Sequence, residues 1–235
     1  MKKILLPFAI LLMMVSCSSD DSEDSNASSG RISKTVAIDE EDGGTTTMYY
    51  KYDGDKIIEV SGKAEGIDIG VKYSYSDNKL TKQSFTALFV DGYNSFFYSD
   101  GIINKAEYYN SWEGKSNISF EYNNLKQIIK STEIDEDKTS TVTTYKYDNQ
   151  GNKISATENS HTITYEYDDK INPASDSYSP EVMMVLFGSV HNLTKEKDGS
   201  YVLTYVYTYN DSGKINTEKE YENGTLITTT KYFYN

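Results

Sequence analysis

A short unit built on two aromatic residues recurs along most of this chain and limits the folds open to it. Each unit reads aromatic, spacer, aromatic, then Asp, Asn or Ser, a turn, and Lys beside Ile or Leu. Successive second aromatics are 20 to 25 residues apart, except for one gap of 42 that corresponds to two units. They are Tyr52, Tyr75, Tyr98, Tyr122, Tyr147, Tyr167, Tyr209 and Tyr234. Such a repeat predicts an array of equivalent small elements.

Each unit predicts a β-hairpin. Aromatics at positions i and i+2 project from the same face of a strand. The Asp, Asn and Gly residues that follow favour a turn, as in 148–152 and 210–214. The chain returns through Lys-Ile or Lys-Leu, so we expect Tyr147 to lie beside Ile154, with Tyr145 on the same face. Tyr–Ile pairs would repeat beside every turn, and Lys, Glu, Ser and Thr would occupy the other face.

Composition and unit count predict an all-β domain. The 22 tyrosines and the many threonines favour strands, and no long stretch has the 3.6-residue period of an amphipathic helix. Hairpins of about 23 residues would give an antiparallel meander of about 14–16 strands, which must curl, split or close like a barrel. Lys51, Lys146 and Glu166 lie between paired tyrosines, so the outer face is too polar to contact lipid.

The double-length gap predicts the one irregular part of the domain. Asn172-Pro173 favours a turn, and Ser179-Pro180 is typical of a helix start. An apolar run over 182–187 follows, ending at Gly188. We expect a short capping helix near 180–187 that plugs one end of the sheet. The alternative is a mobile, Met-rich binding lip.

The first 16 residues predict a signal peptide. Lys2 and Lys3 precede an apolar run over 4–15, and about a dozen apolar residues are too few for a membrane span of roughly 20. Cys17 is the only cysteine of the chain. The pattern resembles a bacterial lipoprotein signal, which implies lipidation of Cys17 and a membrane partner through that anchor. No disulfide is then expected within the mature chain.

An acidic cluster follows the cysteine. Residues 17–32 have the composition of a disordered tether, and a single β-repeat domain over 33–235 comes after it. The cluster formed by Ser19, Asp20, Asp21 and Glu23 resembles the surface-export signal of Bacteroidetes lipoproteins. That resemblance implies a lipid-anchored protein on the outer face of the outer membrane.

Net charge excludes one class of partner. Without Lys2 and Lys3, 21 of the 23 basic residues remain against 36 acidic ones, which gives a net charge of −15. Binding to the phosphates of nucleic acid needs clustered Lys and Arg. The sequence therefore predicts no nucleic-acid partner.

The sequence offers no catalytic residue, metal site or cofactor site. A metal site on His161 and His191 would need carboxylates close in space. Asp135 and Asp137 lie in a stretch typical of a solvated hairpin tip. A cysteine nucleophile is excluded by acylation of Cys17, and no nucleophile elbow accompanies a serine.

One aromatic group is a candidate binding site. Trp112 stands in a predicted hairpin end beside Tyr108 and Tyr109. An exposed Trp among Tyr and Asn can stack on a sugar ring or a peptide group. The alternative is that Trp112 tucks over the rim of the barrel.

The repeat also carries a family resemblance. The units resemble the tyrosine–aspartate (YD) repeats of Rhs-type proteins, with Lys-Ile in place of Arg-Leu. They are more similar to Bacteroidetes lipoproteins with a porin-like domain of unknown function. Those proteins have an Asn-Pro loop like that at 170–173 and a following Asn-Leu-Thr-Lys strand like that at 192–195. This resemblance covers about residues 33–235. It implies fold and location and supplies no catalytic residue.

Three functional hypotheses remain open. The first is a non-enzymatic, surface-tethered lipoprotein that binds a glycan or a protein, which predicts a concave aromatic cleft. The second is a structural or assembly component of the envelope, which predicts a broad exposed apolar patch. The third is a carboxylate-based hydrolase, which needs two buried acidic side chains facing each other in a pocket.

Overall fold

A computed structural model describes residues 30–64, 66–87 and 90–235. The signal peptide, Cys17 and the acidic export cluster lie outside the described residues. Within them, sixteen strands and one short α-helix are present. The strands are β1 (Ile32–Asp39), β2 (Thr45–Asp53), β3 (Lys56–Ala64), β4 (Ile67–Ser76), β5 (Lys79–Ala87), β6 (Val90–Ser99), β7 (Ile102–Asn110), β8 (Gly114–Tyr122), β9 (Ile128–Asp135), β10 (Ser140–Tyr147), β11 (Lys153–Glu158), β12 (His161–Ile171), β13 (His191–Asp198), β14 (Tyr201–Tyr209), β15 (Ile215–Glu222) and β16 (Thr225–Tyr234). The helix α1 (Pro180–Leu186) lies between β12 and β13.

The strands form a closed antiparallel barrel, which confirms the predicted meander. Each strand pairs with its neighbours in sequence, and β1 pairs with β16 to close the ring. The barrel has two ends. We call the end that carries the turns after the paired tyrosines the Tyr-Asp rim, and the other end, with turns such as 111–113 and 223–224, the opposite rim.

The turns at the Tyr-Asp rim follow from their residues. Asp77 and Asn78 both have positive φ angles, of 50° and 62°, as a two-residue hairpin turn requires. In a longer turn, the Asp148 carboxylate accepts hydrogen bonds from the backbone N–H groups of Gln150 and Asn152 at 2.8 and 2.9 Å. Asn123 and Asn210 do the same in their turns. The polar residue after each tyrosine pair therefore fixes the turn.

A β-bulge follows the residue that pairs with the second aromatic of every hairpin, which is Ile or Leu in all of them except β10–β11. Tyr52 pairs with Ile57, but Lys51 pairs with Glu59, so Ile58 is an extra residue that projects outward. Counted from the inward Ile, the next side chains that face inward are therefore those of the third and fifth residues, whereas a regular strand would turn the second and fourth inward. The eight bulged residues of this series are Ser33, Ile58, Thr81, Asn104, Ile129, Ile154, Thr194 and Asn216.

A tyrosine hydroxyl joins one hairpin to the next at seven of the eight junctions in the described barrel. The backbone ladder between β3 and β4 ends at Glu59 and Lys72, and beyond it the Tyr75 hydroxyl donates to the Ile57 carbonyl at 2.8 Å. The same bond recurs in seven places within the described residues. Its donors and acceptors are Tyr52–Ile32, Tyr75–Ile57, Tyr98–Leu80, Tyr122–Ile103, Tyr147–Ile128, Tyr207–Leu193 and Tyr234–Ile215. We call this series the tyrosine ladder.

The basic residue before the inward Ile or Leu also contacts the next hairpin. The Lys56 ammonium lies 5.4 Å from the centroid of the Tyr75 ring, and Lys79 lies 5.1 Å from that of Tyr98. Arg31 and Lys214 occupy the same position over Tyr52 and Tyr234. The Lys-Ile pair of the repeat therefore contacts the ladder tyrosine in two ways. The Lys makes a cation–π contact with its ring, and the Ile carbonyl accepts from its hydroxyl.

The gap of 42 residues is one unit with a long turn, and its interpretation as two units is wrong. Tyr167 pairs with Leu193 just as Tyr52 pairs with Ile57. The 3₁₀ turn at Pro173–Asp176 and α1 occupy the connection between them. The long connection shifts the register beyond Tyr167, where Ile171 pairs with His191, but leaves the pairing of Tyr167 with Leu193 in place.

The helix plugs the interior, as predicted. Four of its side chains are buried: Val182, Met183, Val185 and Leu186. Val182, Val185 and Leu186 join a cluster with inward residues of β5 to β9, namely Leu80, Phe96, Ile103, Ala106, Ile118 and Ile128. A helix held in the main apolar cluster is part of the core, so the mobile-lip alternative is wrong.

The expected pairing of Tyr147 with Ile154 is wrong. Tyr147 pairs with Lys153, and Ile154 is the exposed bulge residue. The reason is turn length: Asn152 stands between Gly151 and Lys153, so the Lys takes the inward place that Ile occupies in most other hairpins. Tyr145 pairs with the buried Ala156 and shares the inner face, as expected.

The outer face is polar, in agreement with the sequence. Lys51 and Glu59 are direct cross-strand partners 2.9 Å apart. Lys130–Glu121 and Lys195–Glu166 repeat the arrangement at 2.6 and 3.1 Å. Exposed pairs contribute at most about 1 kcal/mol each, but they place charge where a lipid-facing barrel needs an apolar band. In the described part of the chain, no helix has the length and apolar character to cross a membrane.

Truncating a ladder tyrosine should destabilise the domain sharply. Tyr147→Ala removes an inward aromatic and its bond to the Ile128 carbonyl, and we expect a loss of about 3–5 kcal/mol in the free energy of unfolding. Tyr147→Phe removes the hydroxyl alone and should lose about 1 kcal/mol. Denaturant unfolding of the purified domain measures both values.

Lys146→Ala is the matched control, because Lys146 is the exposed neighbour on the outer face. It should change the free energy of unfolding by no more than about 0.5 kcal/mol. Equal losses from Lys146→Ala and Tyr147→Ala would contradict the assignment of faces.

Candidate functional site

Trp112 stands exposed on a rigid turn at the opposite rim. The indole side chain is 73% exposed, so the alternative in which it tucks over the rim is wrong. Asn110 fixes the turn, because its buried Oδ1 accepts from the backbone N–H groups of Trp112 and Glu113 at 2.8 and 2.7 Å. The indole is therefore presented to solvent from a fixed backbone.

The structure separates the other two predicted binding residues. Tyr108 faces the interior, where it stacks on Phe85 at 6.3 Å and accepts from the Asn110 amide. Tyr109 faces outward and stacks on Tyr93 at 5.5 Å. Of the three predicted residues, Trp112 and Tyr109 are exposed to the solvent outside the barrel, Trp112 at the rim and Tyr109 on the outer wall. Tyr108 instead contributes to holding the turn through Asn110.

A cavity lies beside the plug at the Tyr-Asp rim. Its volume is about 620 Å³, within the usual range of small-molecule sites. Its apolar lining comes from Tyr75, Leu80, Tyr178 and Val182. Its polar edge comes from Asp53, Asp55, Lys56, Asn78, Asp176, Ser177 and Ser179. The cavity therefore combines an aromatic floor with carboxylate, amide and ammonium groups.

Two side chains shape the edge and the floor of this cavity. The Lys56 ammonium donates to Asn78 Oδ1 at 2.7 Å while lying over the Tyr75 ring. The Tyr178 hydroxyl donates to the Tyr73 hydroxyl at 2.9 Å. Burial raises the pKa of both Tyr73 and Tyr178, so both stay neutral. The floor is held in place before any ligand arrives.

The inner wall opposite the plug carries a second polar group. On β14 and β15, Tyr205 pairs directly with Glu220, and Tyr207 with Glu218. The Tyr232 hydroxyl donates to Glu218 Oε2 at 3.0 Å. The expectation that glutamates face outward is wrong here, because the bulge at Asn216 turns Glu218 and Glu220 inward.

Burial controls the charge of these glutamates. Glu220 is 4% exposed, and burial followed by the neighbouring Glu218 charge raises its pKa to about 7. Burial also raises the pKa of Glu218 and of Glu196, the nearest acid on β13. Glu220 Oε2 has no hydrogen-bond partner among the described residues.

Lys153 is the basic residue of the interior. Its ammonium lies 4.7 Å from the Tyr165 ring centroid and 5.8 Å from that of Tyr145. Burial lowers its pKa to about 8, and Glu196 opposes that shift. Gly188 makes room for it, because a Cβ at Gly188 would lie 2.7 Å from Lys153 Cε.

The two histidines and Asp135 have structural partners, and Asp137 is exposed. His191 Nδ1 shares a hydrogen bond of 2.6 Å with Asn152 Oδ1, and His161 Nε2 lies 2.5 Å from Asp198. Asp135 accepts from the backbone N–H of Thr139 at 2.8 Å and closes its turn. Across residues 30–64, 66–87 and 90–235, no three His, Cys, Asp or Glu side chains are grouped to hold a metal ion.

Comparison with solved structures finds this fold in a porin-like protein of Bacteroides. No protein-family model matches the sequence, and no curated protein does. A porin-like protein from Bacteroides uniformis has 18% identity and a TM-score of 0.56, over 87% of this chain and 98% of that chain. One from Bacteroides vulgatus has 13% identity and a TM-score of 0.41, over 88% of this chain and 99% of that one. The first similarity shows a shared fold.

Acidification should stabilise the domain through Glu220. Its pKa rises from 4.5 to about 7 on folding, so the folded chain takes up a proton at higher pH than the unfolded chain. Stability is therefore gained as pH falls through 7 toward 4.5. The gain between about pH 8 and about pH 5 is at most about 3 kcal/mol. Denaturant unfolding at the two pH values measures it.

Glu220→Gln should reduce this gain, because the amide does not titrate. The matched control is Glu166→Gln on the outer wall, which should leave the gain unchanged. Lys153, whose pKa burial lowers to about 8, titrates at the upper end of this range, but it is present in both variants, so the difference between them reports Glu220. The same pH dependence in both variants would rule out Glu220 as the source.

Proposed function

We propose that this chain is a non-enzymatic, lipid-anchored barrel of the bacterial outer membrane, exposed at the cell surface, that binds a glycan. The observation that carries the binding proposal is the cavity at the Tyr-Asp rim, with its aromatic floor and polar edge. Sugar rings stack on aromatic faces, and their hydroxyl groups bond to carboxylate and amide groups. The similarity to a porin-like Bacteroides fold supports an envelope protein.

The distribution of exposed apolar side chains favours binding over a purely structural role. Phe97, Phe233 and Val206 are exposed on the outer wall. Charged residues interrupt them: Lys34 covers the Phe233 ring at 4.7 Å, and Lys105 is the cross-strand partner of Phe97. An assembly subunit would instead present a broad apolar patch.

The arrangement of acids does not favour hydrolysis. Glu218 and Glu220 lie two residues apart on one strand, so they project side by side from the same wall. A glycosidase holds its two carboxyl groups on either side of the bond that it cleaves. We therefore assign these glutamates no catalytic role.

A glycan array probed with the detergent-solubilised protein tests the binding proposal. Asp176→Asn removes one carboxylate from the cavity edge and should weaken binding to any glycan hit by about tenfold. Asp137→Asn, which changes an exposed acid at the opposite rim, is the matched control and should bind normally.

Trp112→Ala distinguishes the two candidate surfaces. Loss of binding in Trp112→Ala alone would move the site to the opposite rim, and no hit on the array would refute glycan binding.

Cys17→Ala should release the protein from the membrane, because it removes the lipid attachment point. Replacing Asp20, Asp21 and Glu23 together with Ala should keep lipidation but remove surface exposure. Detergent-phase partitioning checks the first variant, and protease accessibility on whole cells checks the second. Partitioning that survives Cys17→Ala would contradict the anchor, and unchanged accessibility would reduce the acidic cluster to a tether.

A further inference from the structure

The two inward glutamates of β15 occupy positions that the fold does not require to be acidic. Glu218 is the third residue after the inward Ile215, and the equivalent residues of other hairpins include Val60, Ala106 and Ala156. Those hairpins form the same barrel with small or apolar side chains. We call Glu218 and Glu220 the glutamate pair.

One carboxylate oxygen of the glutamate pair has no hydrogen-bond donor within the described residues. Glu220 is 96% buried, since it is 4% exposed, and its Oε2 is unpartnered within the described chain. A buried carboxylate oxygen without a donor is strongly unfavourable. Glu218 accepts from Tyr232, and Glu220 has a side-chain hydrogen bond with Tyr205, which leaves Oε2 as its unpartnered oxygen. The free acceptor of the pair therefore belongs to Glu220.

Aromatic residues and further negative charge surround the pair. Tyr205 and Tyr207 are its cross-strand neighbours on β14, and both are only half-buried although they face inward. Glu196, at the equivalent inward position of β13, adds to the negative potential felt by Tyr205. Tyrosine rings and carboxylates together favour a cation.

The carboxylates and tyrosine rings of this wall favour one kind of cation. A divalent metal ion needs more ligands than this wall provides, since the described residues hold no group of three metal-ligating side chains. A primary ammonium group carries three N–H donors and needs no fixed coordination geometry. Glu220 lies two residues before the end of β15 at the opposite rim, away from α1.

We propose that the glutamate pair binds the ammonium group of an aliphatic organic amine, with Tyr205 and Tyr207 packing against its carbon chain. Glu220 Oε2 accepts an N–H of the ligand, and Glu218 supplies the second charge. The ligand enters from the opposite rim. This site is separate from the cavity at the Tyr-Asp rim and does not depend on glycan binding there.

Isothermal titration of spermidine into the detergent-solubilised full chain at about pH 8 tests the proposal, because Glu220 is ionised above its pKa of about 7. Saturable binding is expected. Glu220→Gln should weaken it by about tenfold or more, since it removes the charge that meets the ammonium. Glu166→Gln removes the same charge from the outer wall and should leave the affinity unchanged.

Three results would overturn the proposal. They are no spermidine binding to the folded wild-type chain, equal weakening by Glu220→Gln and Glu166→Gln, and binding of magnesium chloride that depends on Glu220 in place of spermidine. Circular dichroism checks that each variant is folded. Should Glu220→Gln fail to fold, Glu218→Gln replaces it, with the same expected loss.

Discussion

The hydrogen bond from a ladder tyrosine to the Ile or Leu carbonyl of the preceding hairpin is the interaction on which this barrel depends. The backbone ladder between hairpins ends before that carbonyl, at Glu59 and Lys72 for example, and the Tyr75 hydroxyl takes over at 2.8 Å. Each bond contributes only about 0.5–1.5 kcal/mol. Its repetition at seven of the eight junctions, including Tyr52 to Ile32 and Tyr234 to Ile215 beside the closing strands, fixes those hairpins against one another.

The ladder explains how the chain accommodates a helix while the pairing of Tyr167 with Leu193 is kept. Tyr167 and Leu193 keep their pairing across a connection that contains α1, and the Tyr207 hydroxyl still reaches the Leu193 carbonyl at 2.7 Å. Because each hairpin is fixed by its neighbours, a turn can lengthen freely. The inserted helix then fills the interior beside β5 to β9, where apolar residues meet it. The opposite wall, with Tyr205 and Glu220, stays polar.

The sequence predicts the repeat and its consequences more successfully than the inner surface. Aromatic spacing predicted the hairpins and the approximate strand number but left open whether the sheet closes, and Ser179-Pro180 before an apolar run predicted the helix. The bulge left no signal of its own, because bulged residues as different as Ile58 and Asn216 occupy the same position. One extra residue exchanges the two faces of a strand. The sequence pattern therefore predicts the outer face for Glu218 and Glu220, which face inward. In the same way, the extra turn residue Asn152 places Lys153, and not Ile154, beside Tyr147.

Once the bulge is known, the eight hairpins can be compared with one another position by position. The third residue after the inward partner of the second aromatic is Thr35, Val60, Gln83, Ala106, Ser131 or Ala156 in six hairpins and glutamate in the remaining two, Glu196 and Glu218. The six show that the fold accepts small, polar or apolar residues there. The two acids lie on neighbouring hairpins, where burial raises the pKa of both and so destabilises their charged forms. An unfavourable choice that the fold does not demand, concentrated on one wall, points to ligand binding as its physical reason.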